Sequence, residues 1–145
     1  MKAIVQRVLS SSVYIDGTIH AKIDKGLCVL IGYCKDDDIS VNLWFADKLL
    51  GLRIFEDEQK KMNVTLLDIH GSLLIIPNFT LCADTQKGHR PSFFAAETPD
   101  RAESLFNDLL STISEKYPSL KSGVFGADMH IEINNHGPVT LIYER

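Results

Sequence analysis

Two short, unbroken apolar runs constrain this chain most: Leu27-Cys28-Val29-Leu30-Ile31-Gly32-Tyr33 and Leu73-Leu74-Ile75-Ile76. The first has strand length and no polar face, so it predicts a central strand. The second predicts another buried strand, stopped by Pro77. Around them, Ala3 to Leu9 and Val13 to Ile15 read as strands separated by Ser10-Ser11-Ser12, and Asp16-Gly17 is a hairpin signal. Leu52-Arg53-Ile54-Phe55 predicts a short strand, and Glu56 to Asn63 a polar loop. Near the C-terminus Met129, Ile131 and Ile133 alternate with polar residues, as do Val139, Leu141 and Tyr143. Gly137-Pro138 lies between these two runs and reads as a turn.

Two segments carry helical spacing. Ile39, Leu43, Ala46 and Leu50 follow the cap candidates Asp36-Asp37-Asp38, and Gly51 suits the helix end. Thr98, Pro99 and Asp100 open a second helix, whose apolar face is Ala102, Leu105, Phe106, Leu109 and Ile113 and whose end is Tyr117-Pro118. A chain of 145 residues with no linker-like stretch suits one domain, spanning residues 1–145. The fold expected is α+β: a curved, mostly antiparallel sheet or open barrel, with two helices packed on one side.

Composition excludes little but does set limits. A net charge of −4 gives no global basic field, so a nucleic-acid partner would need a local basic patch. The three cysteines, Cys28, Cys34 and Cys82, suggest no paired framework; Cys28 and Cys34 are expected as buried thiols in a reducing compartment. The longest apolar stretch is too short for a membrane span, and Arg7 interrupts any signal-peptide core, so a cytoplasmic location is expected.

Candidate chemistry concentrates in three places. Asn78-Phe79-Thr80-Leu81 leaves the end of a buried strand. Thr80 there serves as nucleophile, acid/base participant or hydrogen-bond donor, though a nucleophile would need an activating base and none is evident in the sequence. Lys87-Gly88-His89-Arg90 is the one compact basic cluster: either a solvated turn or a phosphate contact. Gly137-Pro138 offers rigid backbone without a side chain, a shape suited to gauging the hand of a ligand. No two of the five histidines fall at a metal-binding spacing, so neither a metal nor a cofactor is expected.

Together, Ala3-Ile4-Val5-Gln6-Arg7-Val8, the Asn78 to Leu81 segment, Lys87 to Phe93, Phe125-Gly126-Ala127-Asp128-Met129 and Asn134 to Thr140 closely resemble the D-aminoacyl-tRNA deacylase family. The resemblance runs nearly end to end. It implies hydrolysis of the ester linking a D-amino acid to tRNA, by a homodimer with its sites at the interface. It implies that Gly137-Pro138 is cis and projects into the partner's site, where it excludes an L side chain. Glycine would escape this exclusion, so glycyl-tRNA mischarged on the alanine tRNA would also be a substrate. Arg7 matches the arginine that braces the motif, and Val139 belongs to it. Asn78, Phe79 and Thr80 fall at the catalytic positions, with Lys87, His89, Arg90, Phe125 and Met129 as candidate tRNA contacts.

Backbone N–H groups near Phe79 and Thr80 are the expected home for the developing oxyanion, assisted by the 2′-hydroxyl of the terminal adenosine. One departure stands out. The family usually has Ser-Gln before Phe-Thr-Leu, whereas this chain has Pro77-Asn78. A related animal deacylase has the proline, but with alanine in place of Phe79 and a trans Gly-Pro. Alternative readings are a related deacylase of altered specificity, a metal-dependent hydrolase, and a non-catalytic nucleic-acid-binding module of the same fold.

Overall fold

A computed structural model describes residues 1–145. Both apolar runs are strands in the middle of one mixed sheet. Strand β1 (Lys2–Ile15) leads into β2 (Thr18–Ile23) and then β3 (Gly26–Gly32). Helix α1 (Ile39–Leu50) follows, then a small hairpin, β4 (Arg53–Glu56) and β5 (Met62–Thr65), and strand β6 (Ser72–Pro77). A 3-10 turn at Phe79–Cys82, helix α2 (Pro99–Ser114), β7 (Leu120–Ser122) and β8 (His130–Glu144) complete the chain.

The sheet runs β2-β1-β3-β6-β7, with β8 also on β1. Its β1 pairings are antiparallel, while β3, β6 and β7 run parallel. Thus β1 offers one edge to β8 along most of its length, and the other first to β3 and then to β2. That switch of partners bends the sheet toward a nearly closed barrel. Leu27, Val29, Ile31, Leu73 and Ile75 point into a 23-residue core shared with the helices. Cys28, Leu74 and Ile76 point the other way, into a second core with Val8, Val13, Ala21 and Ile23. Both faces are covered, which explains why these two strands have no polar alternation.

Several expectations hold and several need correction. Asp16 and Gly17 form the two-residue hairpin, both at positive φ, 51° and 73°. Asp38 caps α1, accepting from the Ser40 amide at 2.8 Å, and Ser40 holds the Asp38 carboxyl below its ordinary range. All five predicted apolar residues of α2 are buried. The serine triplet, however, does not break the first strand. Ser11 donates to the Glu132 carbonyl at 2.7 Å, so its buried hydroxyl is satisfied within a continuous β1. In α1 the expected face is rotated. Ala46 and Leu50 are buried as expected, but Ile39 and Leu43 face solvent, and Val41, Phe45 and Leu49, spaced by four, face the core with Asn42. The Glu56 to Asn63 loop is shorter than predicted, because β5 begins at Met62 and returns along β4. Strand β7 went unpredicted; three residues are too few to show a period.

The cysteines require the largest correction. Cys34 and Cys82 are bonded to each other across 48 positions, with Cα atoms 5.8 Å apart. Only Cys28 is free, and burial pushes its thiol up to about 11. An odd count in the sequence concealed a pair that only the fold brings together. No helix is long and apolar enough to cross a membrane.

A polar knot ties the helices to β3. The Tyr33 hydroxyl donates to Asn42 Oδ1 at 2.7 Å, and Asn42 Nδ2 donates to the Leu105 carbonyl at 2.7 Å. Asn42 is fully buried, and removing its amide takes one bond from each of Tyr33 and Leu105, which keep only the 3.2 Å contact from the Tyr33 hydroxyl to the Leu105 carbonyl. Asn42→Ala should cost about 2–3 kcal/mol in urea unfolding without changing the m-value. A cost under about 0.5 kcal/mol would mean the knot contributes nothing net.

Candidate functional site

The end of the β3–β6 pairing positions the first part of the site. The Asn78 amide donates to the Ile31 carbonyl at 2.7 Å, and the chain then turns through Phe79–Cys82. This turn sits on bare backbone. A Cβ on Gly32 would lie 2.5 Å from the Asn78 carbonyl oxygen and 3.3 Å from Leu81 Cβ. Glycine at position 32 therefore lets the turn approach the sheet.

The turn borders a cavity of about 590 Å³. Asn78, Phe79 and Thr80 line it, as do Phe125 and Met129 from the segment leading into β8 and Glu97 from the segment leading into α2. Five of the predicted site residues thus converge on one cavity. Thr80 is exposed, and its hydroxyl donates to Asn78 Oδ1 at 2.5 Å. An amide oxygen orients a hydroxyl but does not deprotonate it, so this contact provides no activation for a nucleophile. The shorter Asn78 side chain still reaches the turn, closing it on itself. No group of three or more His, Cys, Asp or Glu side chains is gathered to hold a metal.

Lys87, His89 and Arg90 do not line the cavity. They ride at the tip of an exposed loop whose base is closed by paired backbone bonds between Asp84 and Ser92, 2.8 and 2.9 Å. Gly88 supplies the positive φ of 69° that the tip requires. Past the loop, the Phe93 ring packs against Phe79 with centroids 5.1 Å apart, linking loop and turn.

The second predicted group lies elsewhere. Gly137-Pro138 is not a hairpin turn: β8 continues through it on the same neighbour. Gln6 pairs with Thr140 and Val8 with Asn135, so His136 to Val139 bulge out opposite Arg7. The Gly137-Pro138 bond is cis, and Gly137 has φ 132°. Arg7, 5% exposed, donates Nε–H to the His136 carbonyl at 3.1 Å and Nη1–H to the Ile54 carbonyl at 2.7 Å. Its charge faces Glu56 at 3.8 Å. None of Arg7, Gly137, Pro138 or Val139 lines the cavity of its own chain.

Asn135 is a contributor that sequence reasoning missed. Its side chain clamps Val139 from both sides: Nδ2 donates to the Val139 carbonyl at 3.2 Å, and Oδ1 accepts from the Val139 amide at 3.1 Å. A side-chain amide thus takes the place of the ladder bonds that the bulge gives up. The available signal was its place two residues before the glycine. His136, by contrast, contributes its carbonyl rather than its ring.

At Gly137 the bulge has no room for a side chain. A Cβ on Gly137 would lie 2.7 Å from Val139 Cγ2, 2.9 Å from the Val139 nitrogen and 3.1 Å from Arg7 Nη2. Gly88 also has positive φ, but a Cβ there would meet nothing within 4 Å. Gly137→Ala should therefore cost about 2–3 kcal/mol in urea unfolding and Gly88→Ala about 1 kcal/mol. Equal costs would show that the crowding at Gly137 relaxes freely.

The chain matches the D-Tyr-tRNA(Tyr) deacylase family over residues 4–144. It is 49% identical to a D-aminoacyl-tRNA deacylase of Clostridium botulinum (strain Eklund 17B / Type B), over 99% of this chain and 97% of that one. It is 48% identical to a D-aminoacyl-tRNA deacylase of Petrotoga mobilis (strain DSM 10674 / SJ95), with the same coverage. Among solved structures, a c-Myc DNA unwinding element binding protein superposes with a TM-score of 0.95 at 36% identity, covering 100% of this chain and 99% of the other. A probable eukaryotic D-amino acid tRNA deacylase superposes at 0.85 with 15% identity, covering 98% and 97%, and so shares the fold. With nearly its whole length matched and about half its residues shared with such relatives, the chain belongs to the D-Tyr-tRNA(Tyr) deacylase family.

Proposed function

We propose that this chain hydrolyses the ester of D-aminoacyl-tRNA, releasing the D-amino acid and tRNA, and that it spares L-aminoacyl-tRNA by steric exclusion. The observation that carries this reading is the bulge at Gly137-Pro138, where no Cβ fits on Gly137, clamped by Arg7 on one side and Asn135 on the other. Backbone held so tightly cannot move aside for an L side chain. A D side chain points away and meets no pocket of its own, so one site serves many D-amino acids. Exclusion of this kind works against the wrong substrate rather than for the right one. Glycine carries no side chain to exclude, so glycyl-tRNA is a substrate as well.

The chemistry falls to the turn. Ester hydrolysis needs a placed water and donors aimed at the developing oxyanion. The first N–H groups of a helical turn have no partner further up the chain, which suits Phe79 and Thr80 to that task. Thr80 and Asn78 position the turn and the ester, and the 2′-hydroxyl of the terminal adenosine assists. Phe125 and Met129 form the apolar wall of the cavity for the acceptor end. Lys87, His89 and Arg90 meet its phosphates.

The active unit is a homodimer, each cavity completed by Gly137-Pro138 of the partner subunit. Two observations support this. The bulge residues stay out of their own chain's cavity. Strand β8 pairs only with β1, leaving its other edge open, and Ile142 on it is 76% exposed.

Incubating stoichiometric enzyme with D-Tyr-tRNA and L-Tyr-tRNA tests the reading: only the D ester, and glycyl-tRNA, should be released. Thr80→Ala should keep turnover within about tenfold, since losing a true acid/base group typically costs 10²–10⁴. Complete loss of turnover with binding intact would refute the backbone-centred chemistry. A second reading, nucleic-acid binding without catalysis, draws on the DNA-binding name of the 36%-identical structural relative. It predicts release of neither ester together with tight, salt-sensitive binding, although the −4 net charge and the single basic loop weigh against it.

A further inference from the structure

The Cys34–Cys82 bond joins two parts of the chain that bear on the site. Cys82 is the last residue of the turn that carries Phe79 and Thr80, and the basic loop opens just beyond it at Asp84. Cys34 follows β3 and forms an antiparallel bridge with Ala96, which the chain reaches on leaving that loop. Beside it, the Lys35 amide donates to the Ala95 carbonyl at 2.9 Å, and the Glu97 amide to the Tyr33 carbonyl at 3.0 Å. One short stretch around Cys34 therefore holds both legs of segment 83–95. The far leg is held by backbone hydrogen bonds; past Asn78, whose amide donates to the Ile31 carbonyl at 2.7 Å, the near leg is held by sulfur. The paired bonds between Asp84 and Ser92 are internal to the segment, and the bond from the Ala83 amide to the Thr80 carbonyl ties it to the turn, so neither stops turn and loop from shifting as a unit.

The anchor side is firm. The Cys34 amide donates to Asp37 Oδ2 at 2.7 Å, and the same carboxylate takes the N-terminal amine at 2.8 Å. Access is one-sided: Cys82 is buried, whereas Cys34 is only half-buried. The remaining thiol, Cys28, is buried and held protonated at neutral pH, so it does not compete.

We propose that Cys34–Cys82 is a thiol–disulfide exchange site for dithiol reductants, and that its state sets how firmly the Phe79–Cys82 turn and the basic loop are held against β3. In the reductive direction a reductant thiolate attacks Cys34 Sγ. The S–S bond breaks, and its electron pair leaves on Cys82 Sγ, which takes up a proton. The reductant's second thiolate then displaces Cys34 from the mixed disulfide, and Cys34 is protonated in turn. The protein gains two electrons and two protons, and the dithiol becomes a disulfide. The bonded form has the preorganised turn and the higher turnover.

The inference concerns the same site as the proposed deacylase activity, so its test includes a readout that does not depend on that activity. Wild-type protein is prepared with dithiothreitol or with diamide, and the thiols are counted by alkylation and mass spectrometry. Amide hydrogen exchange over residues 79–92 should be faster in the dithiothreitol form, with the Leu27–Ile31 amides unchanged. D-Tyr-tRNA release should fall on the order of three- to tenfold on reduction, mainly in kcat, as expected for a slightly misplaced catalytic turn. Cys34→Ser and Cys82→Ser should sit at the reduced level and ignore oxidant. Unchanged exchange between the two verified states would overturn the proposal, as would failure of the two cysteines to pair under diamide. Faster exchange on reduction without D-selective release in either state would keep the redox site and remove the deacylase reading.

Discussion

The parallel pairing of β3 with β6 is the contact on which the rest depends, and glycine governs it at both ends. A Cβ on Gly26 would stand 1.8 Å from the Ser72 carbonyl oxygen, and one on Gly32 2.5 Å from that of Asn78. Close approach at the first position sets the register that carries Leu27, Val29 and Ile31 into the helix-side core. Close approach at the second seats the Asn78 to Cys82 turn on the strand end. Packing and site geometry therefore share one cause. Ligands in sheets with parallel strands commonly sit beyond the strands' carboxyl ends, and this turn and cavity lie at such an end.

The other half of the machinery rests on β1. Its fourteen residues pair with three strands, and Arg7 sits where β8 bulges away from it. A buried guanidinium is costly unless its donors are satisfied. Here carbonyls from β4 and from the bulge accept from it, with Glu56 close by. The same contacts that make Arg7 tolerable therefore hold Gly137-Pro138 in place. Turn and bulge are separate within one chain, and a symmetric pair of chains brings each to the other's counterpart in our account.

Legibility in the sequence followed the strength of local signals. The strands at Leu27 and Leu73, the Asp16-Gly17 hairpin and the α2 face were all readable, because composition, period and turn chemistry agreed there. The α1 face was readable only at Ala46 and Leu50, since Ile39 and Leu43 offered a second apolar stripe and only tertiary packing on Phe45 decided between them. The residues Asn78, Phe79, Thr80, Phe125 and Met129 could be named from family resemblance, but their meeting in one cavity follows from strand order. The Cys34–Cys82 pair was invisible because its members lie 48 positions apart, while Asn135, inside the Asn134 to Thr140 motif, gave no local sign of its clamp on Val139.

The central claim is that backbone does both jobs, donors in the turn and exclusion at the bulge. It is tested most directly by a crystal structure with a non-hydrolysable D-tyrosyl-adenosine analogue. The account predicts the analogue's carbonyl oxygen at about 2.7–3.1 Å from the Phe79 or Thr80 backbone nitrogen. It also predicts the D side chain turned away from Gly137 and Pro138 of the partner subunit. A carbonyl bound instead by the Thr80 hydroxyl, or an L analogue seated equally well in a cavity complete within one chain, would contradict it.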